Sequence, residues 1–216
     1  MMASRAQTAS VTITTRTDAT NLTGLRQQFK QVANRTVVPS YSDIVMKLVS
    51  LALQQHPLLA ARTEGDNWIT PASADDLHIG LAVDTDAGLV VPVVKDVGNI
   101  GLFDLAQHTR TLIEKSRSGT LSVSEMQGGV FTITNLGAFG VDAFTPLINL
   151  PETAVLGLGQ NRREPVVIDD KIVIRDQMTL SLTFDHRIVD GAPAARFLQS
   201  VSQAIENPSA WLLRGE

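Results

Sequence analysis

Apolar residues recur along the chain with two periods, and the switches between them divide it into strands and helices. Val11 and Ile13 alternate with Thr12 and Thr14, a β-branched run that predicts a strand from Val11 to Arg16. Asp18-Ala19-Thr20-Asn21 offers helix caps, and Leu22, Leu25, Phe29 and Val32 mark one face of the helix that follows. Arg35 to Ser40 reads as a loop containing Pro39. Ser40, with Asp43 three positions on, forms a capping box for a second helix. Ile44, Val45, Leu48, Val49, Leu51 and Ala52 give that helix a broad apolar face, so it is expected to be largely buried. It ends near His56-Pro57, where the histidine is expected to complement the helix dipole.

Beyond this point strands dominate. Ala61 to Thr70 predicts a short hairpin around Glu64-Gly65-Asp66-Asn67. Ile79 to Asp84 and Leu89 to Val94 predict two apolar strands about a turn at Thr85-Asp86-Ala87-Gly88, with Pro92 pointing to a sheet edge or bulge. A helix follows from Leu102 to Lys115, with Gly119 just past its end and His108 on its polar side. Ser122 and Glu125 form another capping box, for a short turn. Val130 to Gly137, Thr145 to Leu150, Ala154 to Gly159 and the hairpin Val166-Val167-Ile168 / Ile172-Val173-Ile174 are strand candidates. Leu180, Leu182 and Phe184 alternate with Thr179, Ser181 and Thr183, the pattern of a strand with one buried face. Ala194, Phe197, Leu198, Val201 and Ile205 mark a closing helix from Ala192 to Ile205. Strands and long helices without regular alternation imply an α+β fold: a mixed sheet with helices on one side.

Composition narrows the classes. With 216 residues, 44% of them hydrophobic, the chain suits one large domain, residues 1–216, with no internal repeat. A net charge of −4 and the lack of a basic stripe interleaved with aromatics argue against nucleic-acid binding. Without cysteine there is no disulfide, no cysteine thioester and no thiolate metal site; no metal site is expected. No apolar run approaches a membrane span and Met1-Met2-Ala3-Ser4-Arg5 lacks a secretory signal, so a soluble cytoplasmic protein, or a mitochondrial matrix protein in a eukaryote, is expected.

The chemistry concentrates where the strand Thr179 to Phe184 ends. Asp185, His186, Arg187 and Asp190 crowd four ionisable groups into six positions ahead of Gly191. A lone histidine there would be a solvated turn residue. His186 instead has a carboxylate, Asp190, four positions on and a strand able to hold it rigidly. Val130 to Gly137 is the second such stretch, a strand whose end carries Thr134 and Asn135 into a glycine-containing loop.

Asp185-His186-Arg187-Ile188-Val189-Asp190-Gly191 resembles the active-site signature of the dihydrolipoyl acyltransferases of 2-oxo acid dehydrogenase complexes, shared with the chloramphenicol acetyltransferase fold. Four more tracts match in register: Asp84 to Val94, Phe131 to Gly137, Thr145 to Asn149 and Ala154 to Gly159. The resemblance spans nearly the whole chain and implies the chloramphenicol acetyltransferase-like two-layer sandwich. It implies a homotrimer in which coenzyme A and a lipoyl group, carried on a separate lipoyl domain, enter opposite ends of a channel between subunits. It also implies that His186 of one subunit works with Thr134 of its neighbour, and it marks Asp84, Leu89, Asn135 and Gly137 as substrate contacts. Cubic or dodecahedral assembly with the other enzymes of such a complex would follow. Nothing here resembles a lipoyl or peripheral-subunit-binding domain, and the usual basic N-terminal segment looks cut short at Met1, so an isolated catalytic core is expected.

Acyl transfer between thiols needs a base near pH 7, because a thiol with pKa about 8.5 is mostly protonated there. Histidine suits that task, which assigns His186 as general base. Thr134 is the candidate donor to the tetrahedral oxyanion. Asp190 is expected to orient the turn or His186, and Asp185 and Arg187 to form ion pairs that fix the loop. The loop Leu136 to Gly140 resembles that of acetyl-handling members, serving pyruvate or acetoin, more than succinyl or branched-chain ones. An antibiotic O-acetyltransferase and a catalytically silent core are the competing readings.

Overall fold

The computed structural model describes residues 7–32, 37–64, 67–69 and 76–213. The predicted first strand is β1 (Ser10–Asp18), and Asp18 Oδ1 accepts the backbone N–H of Thr20 at the start of α1 (Thr20–Val32). The Ser40–Asp43 capping box opens α2 (Tyr41–Gln55), which is buried from Asp43 to Leu53. β2 (Arg62–Glu64) and β3 (Asn67–Ile69) form the expected hairpin; its turn residues, Gly65 and Asp66, lie outside the described residues, as does the start of the Arg35 to Ser40 loop.

The two strands expected between Ile79 and Val94 are each broken in two. β4 (Ile79–Leu81) and β7 (Val93–Val94) pair within the main sheet, whereas β5 (Val83–Thr85) and β6 (Gly88–Val90) form a separate two-stranded ribbon. Pro92 stands at the break before β7, which is an edge strand of the main sheet. The next helix, α3 (Leu102–Ser118), runs three residues past its predicted end to Gly119, whose φ of 69° supplies the left-handed cap.

β8 (Phe131–Asn135), β9 (Ala154–Ile168) and β10 (Lys171–Asp185) complete the main sheet, in the order β1-β10-β9-β8-β4-β7. β8 is parallel to β4 and β9, and the remaining pairs are antiparallel. Two predicted strands, Ala154 to Gly159 and Val166 to Ile168, are one continuous β9. The hairpin reverses at Asp169 and Asp170, both at positive φ. α4 (Gly191–Glu206) and the short α5 (Pro208–Leu212) close the chain.

Register explains the layers. Ile13, Leu182, Leu156, Ile133 and Leu81 form one row across five strands and belong to the apolar core with α2 and α4, where Phe131 meets Phe197 edge-on at 5.6 Å. The neighbouring row, on the opposite face, is Thr12, Thr183, Val155, Thr132 and Gly80. The expectation that this second face of β10 meets solvent is wrong: Ser181 and Thr183 are buried. A strap, residues 141–152, crosses that face. Thr145 to Leu150, predicted as a strand, is part of it; Pro146 and Ile148 are buried and Thr145 and Leu147 exposed, but no strand pairs with them. The alternation comes from lying flat on the sheet. Phe144 packs where a Cβ on Gly157 would come within 2.8 Å of its ring, and a Cβ on Gly159 would strike the Asp142 carbonyl at 1.9 Å.

His56 also differs from expectation. Burial, with Arg196 nearby, lowers its pKa, so the ring serves as a neutral bridge: Nε2 lies 3.0 Å from Ser200 Oγ, and the ring meets Phe197 edge-on. The charge that would complement the helix dipole is thus disfavoured, although the residue stands at the C-cap of α2 as expected. Among the described residues no helix is long and apolar enough to cross a membrane.

Candidate active site

β10 delivers its last residue, Asp185, into the protein, 1% exposed. Burial pushes this carboxyl's pKa up. The Arg187 guanidinium and the backbone N–H groups of Arg187 and Ala9 more than offset that, and the net shift is downward. Arg187 grips both carboxylate oxygens, through Nε at 2.9 and 3.0 Å and through Nη2. The backbone N–H groups of Ile188 and Val189 donate to the Asp185 carbonyl, and that of His186 to the Ala9 carbonyl. Val189 is fully buried, so the turn is pinned on both sides of the histidine. The expected ion pair is thus made between Asp185 and Arg187 themselves.

On this fixed turn the His186 side chain is 44% exposed and rests 5.8 Å from the Phe184 ring. Its Nδ1 faces Asp190 Oδ1 at 3.8 Å, an ion-pair distance too long for a hydrogen bond. Asp190 is the N-cap residue of α4 without capping it through its side chain, which is 84% exposed.

Thr134 and Asn135 occupy the other end of the sheet, at the C-terminal end of β8. They line a cleft of about 610 Å³ between α3, the start of α2 and the β5–β6 ribbon. Asp84 and Leu89, cross-strand partners on that ribbon, line it as well. Asn135 is committed within the chain: its Nδ2 donates to Ser42 Oγ at 3.0 Å, and its Oδ1 accepts the Gly137 N–H at 2.9 Å. Gly137 has a packing reason to be glycine, since a Cβ there would sit 2.5 Å from the Gly159 carbonyl oxygen. The structure therefore gathers Thr134, Asn135, Asp84 and Leu89, with Gly137 alongside, and separately pairs His186 with Asp190.

These two groups do not meet within one chain. Thr134 pairs with Gly157 and Gly157 with Ser181, which is five residues before His186 on β10. At about 3.3 Å per residue, roughly 16 Å of strand separates the two levels, on top of two inter-strand spacings.

A third cluster escaped the sequence reading because its members come from three elements. The Arg26 guanidinium lies 4.9 Å over the Tyr41 ring, and Thr23 Oγ1 receives both Tyr41 Oη at 3.4 Å and Asn161 Nδ2 at 3.0 Å. Arg26 Nε and Asn161 Oδ1 are buried without a hydrogen-bond partner among the described residues. Asn161 lies on β9 three positions past Leu158, the register partner of Asn135. No local spacing announces this cluster. Among the described residues no group of three or more histidine, aspartate or glutamate side chains could hold a metal ion.

The model of the 2-oxoacid dehydrogenases acyltransferase (catalytic domain) matches residues 1–213. The chain belongs to that family. The dihydrolipoyllysine-residue acetyltransferase component of the acetoin cleaving system of Bacillus subtilis (strain 168) is 40% identical over 215 residues, 99% of this chain and 53% of that protein. The dihydrolipoyllysine-residue succinyltransferase component of the 2-oxoglutarate dehydrogenase complex of Rickettsia typhi is 38% identical over 198 residues, 91% of this chain and 49% of that one. The chain thus spans about half the length of these relatives.

Among solved structures, Azotobacter vinelandii dihydrolipoamide acetyltransferase superposes with a TM-score of 0.92 at 34% identity, covering 98% of this chain and 87% of that one. That work addressed the catalytic roles of a serine at position 558, a histidine at 610 and an asparagine at 614 of the Azotobacter protein. The cubic core of the pyruvate dehydrogenase multienzyme complex matches with the same score and identity, over the same shares of the two chains. Chloramphenicol acetyltransferase, at 13% identity and a TM-score of 0.56 over 92% of this chain and 89% of its own, shares the fold. The α+β two-layer architecture expected from the sequence is the one observed.

Proposed function

We propose that this chain transfers an acyl group between a dihydrolipoyl thiol and coenzyme A, with His186 as general base and Thr134 of a neighbouring copy as oxyanion donor. The observation that carries the reading is the division of the site. His186 stands on a rigid, half-exposed turn at one end of the sheet, and Thr134 lines a cleft at the other, so each is half of a site that a second copy completes. The intervals lend support: Thr134, His186 and Asp190 have the same sequence spacing as the serine, histidine and asparagine of the Azotobacter enzyme.

In this reading His186 takes the proton of the attacking thiol through Nε2, the nitrogen not facing Asp190. The thiolate forms a bond to the thioester carbon, and the Thr134 hydroxyl donates to the oxyanion that develops. Collapse breaks the original carbon–sulfur bond, and His186 returns the proton to the departing sulfur. Asp190, 3.8 Å from Nδ1, orients the imidazole.

Coenzyme A is assigned to the Thr134 cleft. Arg110 and Arg117 line the same cleft and bring positive charge suited to the phosphate groups of an anionic substrate. Asp84, Leu89 and Asn135 wall the same cleft, and the Gly137 N–H holds the Asn135 side chain. The lipoyl group would arrive on a separate domain from the His186 side. The oligomer is proposed as a homotrimer, able to build a cubic or dodecahedral core with the other enzymes of a 2-oxo acid dehydrogenase complex, in the cytoplasm or a mitochondrial matrix. Acetyl is the proposed acyl group, on the loop Leu136 to Gly140. Turnover of free dihydrolipoamide with acetyl-, succinyl- and branched-chain acyl-CoA tests both levels. Acetyl preference is expected; preference for another thioester overturns the acetyl assignment, and no turnover with any of them overturns the activity.

A further inference from the structure

Glu152 is the last residue of the strap, 2% exposed, with its side chain on the hydroxyl face of the sheet. Its Oε2 accepts from Thr132 Oγ1 at 2.6 Å and its Oε1 from Asn149 Nδ2 at 3.0 Å. Its own N–H donates to the Asn149 carbonyl, it bridges to Arg62, and the carbonyl of the preceding Pro151 accepts from Thr63. The carboxyl thus ties β8 to the strap, and the backbone at Pro151 and Glu152 joins the strap to β2. Room for it depends on Gly129, where a Cβ would fall 2.8 Å from Glu152 Oε1.

The strap meets the sheet on both sides of Thr134. Phe144 sits on Gly157, the register partner of Thr134, while Asn149 and Glu152 hold Thr132, two residues earlier on the same face. A buried carboxyl is a poor way to gain stability, because a well-packed apolar side chain of similar volume commonly does as well or better. Here burial raises its pKa to about 7 despite the hydrogen bonds from Thr132 and Asn149 and the charge of Arg62. A costly group two residues from a reacting position calls for a positional explanation.

We propose that Glu152 is a positioning residue for acyl transfer, clamping Thr132 and Asn149 so that the end of β8 and the strap hold the Thr134 hydroxyl in place. The inference rests on the role given to Thr134 above. Displacement of a reacting group by about 1 Å can cost on the order of 10²-fold in rate, so a loosened clamp should lower kcat and leave KM nearly unchanged.

The test is steady-state kinetics of the assembled protein with Glu152→Met, Glu152→Gln, Thr134→Val and the double variant Thr134→Val/Glu152→Met. Glu152→Met should lower kcat by roughly 10- to 100-fold with KM for both substrates within about twofold. Glu152→Gln should recover most of the rate, because its amide can accept from Asn149 and donate to Thr132. The double variant should be no slower than Thr134→Val alone, since the clamp acts through that hydroxyl. If Glu152→Met does not fold, Asn149→Ala removes one arm of the clamp from the half-buried side and carries the same comparison. Multiplying losses in the double variant, or no rescue by Glu152→Gln, would overturn the positioning role alone. Parent-like kcat for Thr134→Val would overturn the Thr134 assignment itself, and the positioning role with it.

Discussion

His186 and Thr134 stand at opposite ends of one sheet, Thr134 level with Ser181 of β10 and His186 five residues beyond it. Rigid strands cannot close that gap within a chain, so a shared site is expected to depend on assembly. Mixing inactive His186→Ala chains with inactive Thr134→Ala chains should restore part of the activity, because some interfaces then pair an intact histidine with an intact threonine. Hybrids as inactive as either parent would contradict the shared site, as would an active monomer in sedimentation equilibrium.

His186→Ala should fold normally. The side chain is half exposed, and the turn is held by Asp185, Arg187 and Val189 rather than by the imidazole. Turnover should fall by about 10²–10⁴-fold, the usual worth of a positioned general base. Matched circular dichroism and thermal midpoints would establish that the loss is chemical; parent-like turnover would exclude the base assignment.

Thr134→Val should lower kcat by about 10²–10³-fold with little change in KM, while Thr134→Ser keeps much of the rate. Thr132 is the comparison. Its hydroxyl is committed to Glu152 at 2.6 Å, so Thr132→Val should cost stability, and a smaller part of kcat through the clamp. A larger kcat loss at Thr132 than at Thr134 would move the donor two residues back along β8.

Arg187→Met should destabilise the protein although Arg187 is itself half exposed, because it leaves the Asp185 carboxylate, 1% exposed, without its cation. Solvent screens part of the pair, so about 1–3 kcal/mol is expected from urea unfolding. The downward-shifted pKa of Asp185 sets the sign with pH. Its contribution is present above the ordinary aspartate value and is lost as acid protonates the folded carboxyl. Acid unfolding of Arg187→Met should therefore begin at higher pH than that of the parent.

Glu152 makes the opposite prediction. With its pKa raised from 4.5 to about 7, the folded protein keeps a proton that the unfolded chain releases across that interval. Stability should fall as pH rises from 4.5 to 7, by on the order of 3 kcal/mol in the limit, and level off above. Glu152→Gln should lack that slope and gain on the parent at pH 8 relative to pH 5. Parallel pH profiles of the urea midpoint for the two proteins would show that Glu152 does not titrate in this way.

Much of the fold was legible because its causes are local. Alternation at Thr179 to Phe184, the capping box at Ser40 and Asp43, and Gly119 after α3 each act within a few residues, where neighbouring side chains and backbone groups decide the outcome. The fixed turn that carries His186 was legible for the same reason, since its strand, carboxylate and glycine are contiguous in sequence. What the sequence did not determine needed contacts between distant segments. The alternation at Thr145 to Leu150 could not tell a paired strand from an extended strap, because period two records which side is buried and not whether a neighbour shares the backbone hydrogen bonds. The buried hydroxyl face of β10, the Glu152 clamp and the Arg26–Asn161 cluster arise only once β1, β8, β9 and residues 141–152 are stacked, and their members carry no common spacing. Tertiary structure alone decided that His186 and Thr134 are held apart, because strand order and register, not sequence distance, set how far two strand ends lie from each other.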